Sequence, residues 1–140
     1  MGWESLPIGT AQPTDVREYY GLTSDDFMPG DYDGDGKADL CAVRSEGAGP
    51  NWVWYIKMSS TGVITRTAWG RSDLDTATPG DYDGDGRTDI AVWRYGSQAG
   101  AAANFYVINS STGSGAQVQW GLESSTDFPL ACWNTTAPVC

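Results

Sequence analysis

One segment of this chain occurs twice. Residues 29–44 read PGDYDGDGKADLCAVR, and residues 79–94, fifty positions on, read PGDYDGDGRTDIAVWR. Fainter echoes keep the same period. Trp54-Tyr55-Ile56 with Ser59-Ser60-Thr61-Gly62 returns as Phe105-Tyr106-Val107 with Ser110-Ser111-Thr112-Gly113, and Tyr20-Gly21, Trp69-Gly70 and Trp120-Gly121 close successive units. A fixed period of this size means that each unit is one supersecondary element which buries its apolar surface only against its neighbours. The layout is a partial unit at 15–21, a first repeat at 22–70, a second at 71–121 and a degenerate remnant at 122–140, all in one domain spanning 1–140. Pro29, Pro79 and Pro129 mark equivalent points. After Pro129 the stretch Leu130-Ala131-Cys132-Trp133-Asn134-Thr135 stands where Gly-Asp-Tyr-Asp-Gly-Asp is expected, so the third loop is lost.

Between the loops the sequence is rich in β-branched and aromatic residues and broken by Gly, Ser and Thr, which reads as short strands over 38–44, 52–58 and 63–69 and over 88–94, 104–109 and 116–120. Ser60-Thr61-Gly62 and Ser111-Thr112-Gly113 read as hairpin turns, with glycine supplying the positive φ. No helical period of useful length is present. The fold class is therefore all-β: propeller-blade-like repeats of about 50 residues, two complete units with partial units at both ends. Trp54, Trp69, Trp93 and Trp120 sit at repeat positions and are expected in the core; Trp3, Trp52 and Trp133 fall outside the pattern and are expected at the surface. Asp26, Asp75 and Asp127 precede the prolines and are read as turn or capping residues.

The repeated loop has the spacing D-x-D-x-D-G-x-x-D. Asp31, Asp33, Asp35 and Asp39, and again Asp81, Asp83, Asp85 and Asp89, fall at loop positions 1, 3, 5 and 9; position 7 offers only a backbone carbonyl, from Lys37 or Arg87. Four carboxylates held this close repel one another unless a cation sits among them. An all-oxygen set on a glycine-rich loop suits Ca²⁺, which takes six to eight oxygen ligands in flexible geometry. Mg²⁺ demands a stricter octahedron, and zinc is disfavoured because the chain has no His and no paired Cys ligands. The loop is only partly like an EF-hand: position 12 is Ala42 or Val92 in place of a bidentate Glu, and strands follow it.

Loop, strand, aromatic strand, turn and closing Trp-Gly, in that order, resemble the FG-GAP/VCBS-type calcium-binding repeat family across about residues 19–129. The resemblance implies a calcium-stabilised β-propeller of an extracellular kind. It also implies two Ca²⁺ ions, one held by Asp31, Asp33, Asp35, the Lys37 carbonyl and Asp39 and the other by Asp81, Asp83, Asp85, the Arg87 carbonyl and Asp89. The chain departs from the family in its missing third loop and in its length, since a propeller has four to eight blades. The shortfall points to self-association or to a larger parent assembly.

Charge and composition narrow the function. The net charge is −10, and without the eight loop aspartates it would be only −2, so the acidity is local. No basic patch is available for nucleic acid, and no apolar run is long enough for membrane insertion. The first ten residues carry no charged and then apolar leader, so any secretion signal is expected outside this sequence. Without His, the usual general base is missing and Cys41 has no imidazole partner, which argues against an enzyme. Cys41 reads as a buried thiol, and Cys132 with Cys140 as a potential C-terminal clasp. The expected role is an extracellular or cell-surface recognition or adhesion module binding carbohydrate or a cell-surface protein, with Ca²⁺ structural. The alternatives are a subunit of an extracellular filament, pilus-type or surface assembly, and an appended domain of a secreted hydrolase.

Overall fold

The computed structural model describes residues 20–96 and 101–122. These form two four-stranded antiparallel sheets, each built from consecutive strands. The first contains β1 (Asp26–Phe27), β2 (Leu40–Ser45), β3 (Asn51–Lys57) and β4 (Ile64–Arg71); the second contains β5 (Asp75–Ala77), β6 (Ile90–Arg94), β7 (Ala102–Ile108) and β8 (Gly115–Leu122). Among the described residues there is no helix. The architecture is all-β, two blade-like sheets of identical strand order, as the repeat period requires. The strands read from sequence are found to within two residues at most ends. The short β1 and β5 were not read as strands, because two or three residues carry no periodicity of their own; pairing with β2 and β6 creates them.

The register repeats as well. Both third strands have an irregularity near their start, between Asn51 and Val53 and between Ala102 and Asn104. The turns after β3 and β7 close by Gly62 N–H donating to the Met58 carbonyl and Gly113 N–H to the Asn109 carbonyl. Gly62 (φ +75°) and Gly113 (φ +72°) take the left-handed conformation those turns need.

The sheets stack face to face. Alternation along β2 and β3 turns Cys41, Val43, Trp52, Trp54 and Ile56 to one side of the first sheet, where they meet Ala77, Ile90 and Val92 of the second in a single cluster. Hydrogen bonds also cross the seam, among them Trp69 Nε1–H to the Tyr106 carbonyl at 3.0 Å and Thr88 N–H to the Asp31 carbonyl at 2.7 Å. Gly70 (φ +91°) lies so close to Val92 that a Cβ there would stand 2.8 Å from Cγ1, so only glycine allows the end of β4 to lie across the second sheet.

Two aromatic expectations are corrected. Trp52 is only 7% exposed, because it is two residues from Trp54 on the same strand and shares its face; the second repeat has Ala103 there, which hid the position from the repeat comparison. Trp120 is 74% exposed although its counterpart Trp69 is half-buried: Trp69 is covered by the second sheet, and no described residue follows to cover Trp120. Trp54 and Trp93 are buried as expected, and Trp3, Trp133, Cys132 and Cys140 lie outside the described residues.

The acids before the prolines are also reassigned. The counterpart of Asp75 is Asp25, whereas Asp26 is exposed on β1, and Asp127 lies outside the described residues. Asp25 accepts the Leu22 N–H and Asp75 the Arg71 N–H, each at 2.7 Å, which is the expected turn role. Each also pairs with an arginine of the next strand. Asp75 binds Arg94 through both oxygens, at 2.6 and 2.9 Å, and Asp25 binds Arg44 through one, at 2.7 Å. Both guanidinium groups lie over a tyrosine ring, Arg44 on Tyr55 and Arg94 on Tyr106.

Asp75→Ala is expected to cost about 2–3 kcal/mol in chemical denaturation. That is less than a fully buried pair would lose, because the Arg94 side chain is 33% exposed. Burial pushes the Cys41 thiol up to about 12, so little thiolate is available near neutrality. Alkylation at pH 8 mapped by mass spectrometry is expected to leave Cys41 unmodified in the folded protein and to label it after denaturation.

Candidate metal centres

Each acidic loop bridges the first two strands of its sheet and is pinned at its base by an antiparallel pair, Gly30 with Asp39 and Gly80 with Asp89. Within the first loop, Asp31 Oδ1 accepts the N–H of Gly34 at 2.7 Å and of Asp35 at 3.0 Å, and its Oδ2 accepts the N–H of Gly36 at 2.8 Å. Asp33 Oδ1 takes the Asp35 N–H and Asp35 Oδ1 the Lys37 N–H, so successive Asx turns wind the chain around its own carboxylates. Gly34 (φ +82°) and Gly36 (φ +87°) make that curl possible. The second loop repeats every bond, from Asp81 to Gly84, Asp85 and Gly86, from Asp83 to Asp85 and from Asp85 to Arg87.

The ninth positions behave differently. Asp39 and Asp89 are fully buried. Asp39 Oδ2 accepts the N–H of Tyr32 and Asp33, and its Oδ1 accepts the N–H of Ser59 at the β3–β4 turn. Asp89 does the same with Tyr82 and Ser110. One carboxylate thus ties the loop to a hairpin about 20 residues further along the chain. The tyrosines add a second peg: Tyr32 Oη–H donates to the Met28 carbonyl at 2.8 Å and Tyr82 Oη–H to the Thr78 carbonyl at 2.6 Å. Burial drives the Tyr32 phenol far above the usual tyrosine range, which keeps it a donor.

The turn contributes a group that sequence reading passed over. Ser59 and Ser60 donate their hydroxyls to Asp35 and Asp33, and Ser110 and Ser111 donate theirs to Asp85 and Asp83. The Ser60 hydroxyl holds Asp33 below the usual carboxylate range, and Ser111 does so for Asp83. The signal present in the sequence is the Ser-Ser pair repeated at an offset of 51, which composition alone marks as a turn and not as a partner of the loop.

Asp31, Asp33 and Asp39 bring one oxygen each within 4.8 Å of one another, and Asp81, Asp83 and Asp85 do so in the second loop. Asp35 is outside the first cluster and Asp89 outside the second. Lys37 and Arg87 stand at the loop turn with their N–H groups committed to Asp35 and Asp85. The donor set is oxygen only and multiply anionic, half-buried to buried in the first loop and exposed in the second. It is a set that could hold a hard divalent cation, and the arginine pairs of Asp25, Glu46, Asp73 and Asp75 lie away from it. Each loop carboxylate oxygen that accepts a single N–H keeps a further lone-pair direction for an ion.

Residues 31–92 match the family model described as FG-GAP-like repeat. The match begins at the first aspartate of the first loop and ends within β6, so it spans both acidic loops. No curated protein and no solved structure matches the chain significantly.

The two classes of aspartate are expected to separate on substitution. Asp39→Ala strands buried N–H donors and is expected to cost about 3–5 kcal/mol even in chelator. Asp35→Ala, on the exposed rim, is expected to change stability in chelator by less than about 1 kcal/mol. Urea melts of both variants in chelator measure the contrast.

Proposed function

We propose that this chain, with its FG-GAP-like repeat, is an extracellular calcium-binding β-repeat module for recognition or adhesion, in which two Ca²⁺ ions are structural. The observation that carries the reading is the pair of acidic loops with matching backbone hydrogen bonds, each bringing three carboxylate oxygens within 4.8 Å of one another. The residues that would hold the ions are Asp31, Asp33, Asp35, Asp39 and the Lys37 carbonyl, and Asp81, Asp83, Asp85, Asp89 and the Arg87 carbonyl. A bound ion would neutralise carboxylates that otherwise repel at close range, and so would tighten the loop against the Ser-Ser turn.

The metal has no catalytic part in this reading. The chain contains no His, and the arginines that touch acids outside the loops are engaged in structural pairs. Carbohydrate or a cell-surface protein is the class of ligand that an aromatic-rich, calcium-stabilised surface suits. A role as a subunit of an extracellular assembly is the second reading, and the exposed apolar face of the second sheet favours it: Tyr82, Val118 and Trp120 lie there in the open.

Extracellular modules bind Ca²⁺ with dissociation constants of about 10⁻⁴–10⁻³ M, so at millimolar calcium each site adds about 0.4–1.4 kcal/mol. Adding chelator is therefore expected to lower Tm by about 3–10 °C. Asp81→Ala should remove about half of that shift, and calorimetric titration should count two ions in the parent and one in the variant. A melt indifferent to chelator would sink the calcium reading. A glycan array probed in calcium tests the carbohydrate reading separately.

A further inference from the structure

The two acidic loops are copies, yet among the described residues only the first has the other resting on it. Thr88, in the second loop, donates its N–H to the Asp31 carbonyl in the first at 2.7 Å. Its side chain packs on the base of that loop: a Cβ on Gly30 would stand 2.8 Å from Thr88 Oγ1. Arg87 lies further along the same loop, where a Cβ on Gly34 would stand 3.0 Å from its Cγ. On the second loop the counterparts differ. A Cβ on Gly84 would meet nothing within 4 Å, and the nearest neighbour of Gly80 is the ring of Tyr82, from its own loop. Asp31 and Asp33 are accordingly half-buried, whereas Asp81, Asp83 and Asp85 are exposed.

The contact runs through one peptide unit. A trans peptide holds its C=O and its N–H in one plane, pointing opposite ways, and no described peptide bond is cis. The Thr88 N–H and the Arg87 carbonyl belong to the same unit. With the N–H turned to Asp31, the carbonyl faces away from the first loop. That carbonyl is the position 7 oxygen, the backbone group the second loop has to offer an ion. Asp31 in turn organises the first loop, accepting the N–H of Gly34, Asp35 and Gly36. One rigid plate thus connects the backbone oxygen of one site with the leading aspartate of the other.

We propose that the two calcium sites are coupled through the Arg87–Thr88 peptide, so that filling either loop strengthens binding in the other. The proposal rests on the calcium reading. When its carbonyl oxygen is engaged, the Arg87–Thr88 amide is polarised and the Thr88 N–H becomes a stronger donor. Arg87 and Thr88 are then also fixed in place, and the first loop orders at a smaller entropic cost. Linkage makes the effect reciprocal. Charge works in the opposite direction, because a filled loop is less negative and attracts its neighbour's ion less. That contribution passes through the water around the exposed second loop and is screened, whereas the hydrogen bond is direct.

Calorimetric titration with CaCl₂ tests this on the parent, on Asp31→Ala, which retains only the second site, and on Asp81→Ala, which retains only the first. For independent sites, the product of the parent's two stepwise association constants equals the product of the two single-site constants. Coupling is expected to raise the parent's product at least about fivefold above that. A ratio of one or less overturns the coupling and leaves the calcium reading standing. No calcium binding in any of these proteins overturns the calcium reading and the coupling with it. Gly30→Ala pushes Thr88 off the first loop without touching a ligand, and in that background the ratio is expected to fall to about one. An unchanged ratio there overturns the route through Thr88. Amide hydrogen exchange needs no variant: the parent's Thr88 N–H is expected to exchange at least about five times more slowly in calcium than in chelator, and an unchanged rate overturns the bridge.

Discussion

A four-stranded sheet has two faces, and in the first sheet one of them carries Cys41, Val43, Trp52, Trp54 and Ile56, which need cover. Everything else in the architecture follows from stacking one sheet on the next. The first sheet hides Trp52, Trp54 and Ile56 only because Ala77, Ile90 and Val92 lie across them. At about 1.5–3 kcal/mol for each large side chain buried, that seam is the main source of stability. It also sets the limits of the fold: a stack that stops leaves its last face open, and Trp120 marks where the described stack stops. The seam likewise demands small residues where the chain crosses from one sheet to the next, which is why Gly70 cannot carry a side chain.

The second dependency is electrostatic. A buried carboxylate is tolerated only when its oxygens are satisfied, and Asp39 and Asp89 each take backbone N–H groups from two distant segments. They set the position of the loop against the Ser-Ser turn. The remaining aspartates are then held on a framework of backbone hydrogen bonds, and their mutual repulsion is what a cation would relieve. Scaffold and candidate ligands are therefore separable roles within one short motif, although the sequence writes both with the same residue type.

Repeat comparison assigned roles by position, and position was a good guide to strands and a poor one to exposure. Trp69 and Trp120 are equivalent in sequence and differ in environment because exposure depends on what lies alongside. Trp52 has no tryptophan at its counterpart and is nonetheless core, since strand alternation places it beside Trp54. Asp25, not Asp26, stands four residues before its proline as Asp75 does, at the loops' own offset of fifty, and the Arg44 and Arg94 ion pairs bear out that correspondence.

The sequence by itself determined the period, the all-β class, most strands, the turns after β3 and β7 and the acidic loops. All of these are local: they rest on alternation, on glycine at positive φ and on Asx turns spanning a few residues. Tertiary structure decided the short strands β1 and β5, the burial of Asp39 and Asp89, the part played by the Ser-Ser pairs and the open face around Trp120. Each of these depends on a partner about 15 or more residues away, or on a neighbouring sheet, and no local pattern encodes which surface such a partner will cover.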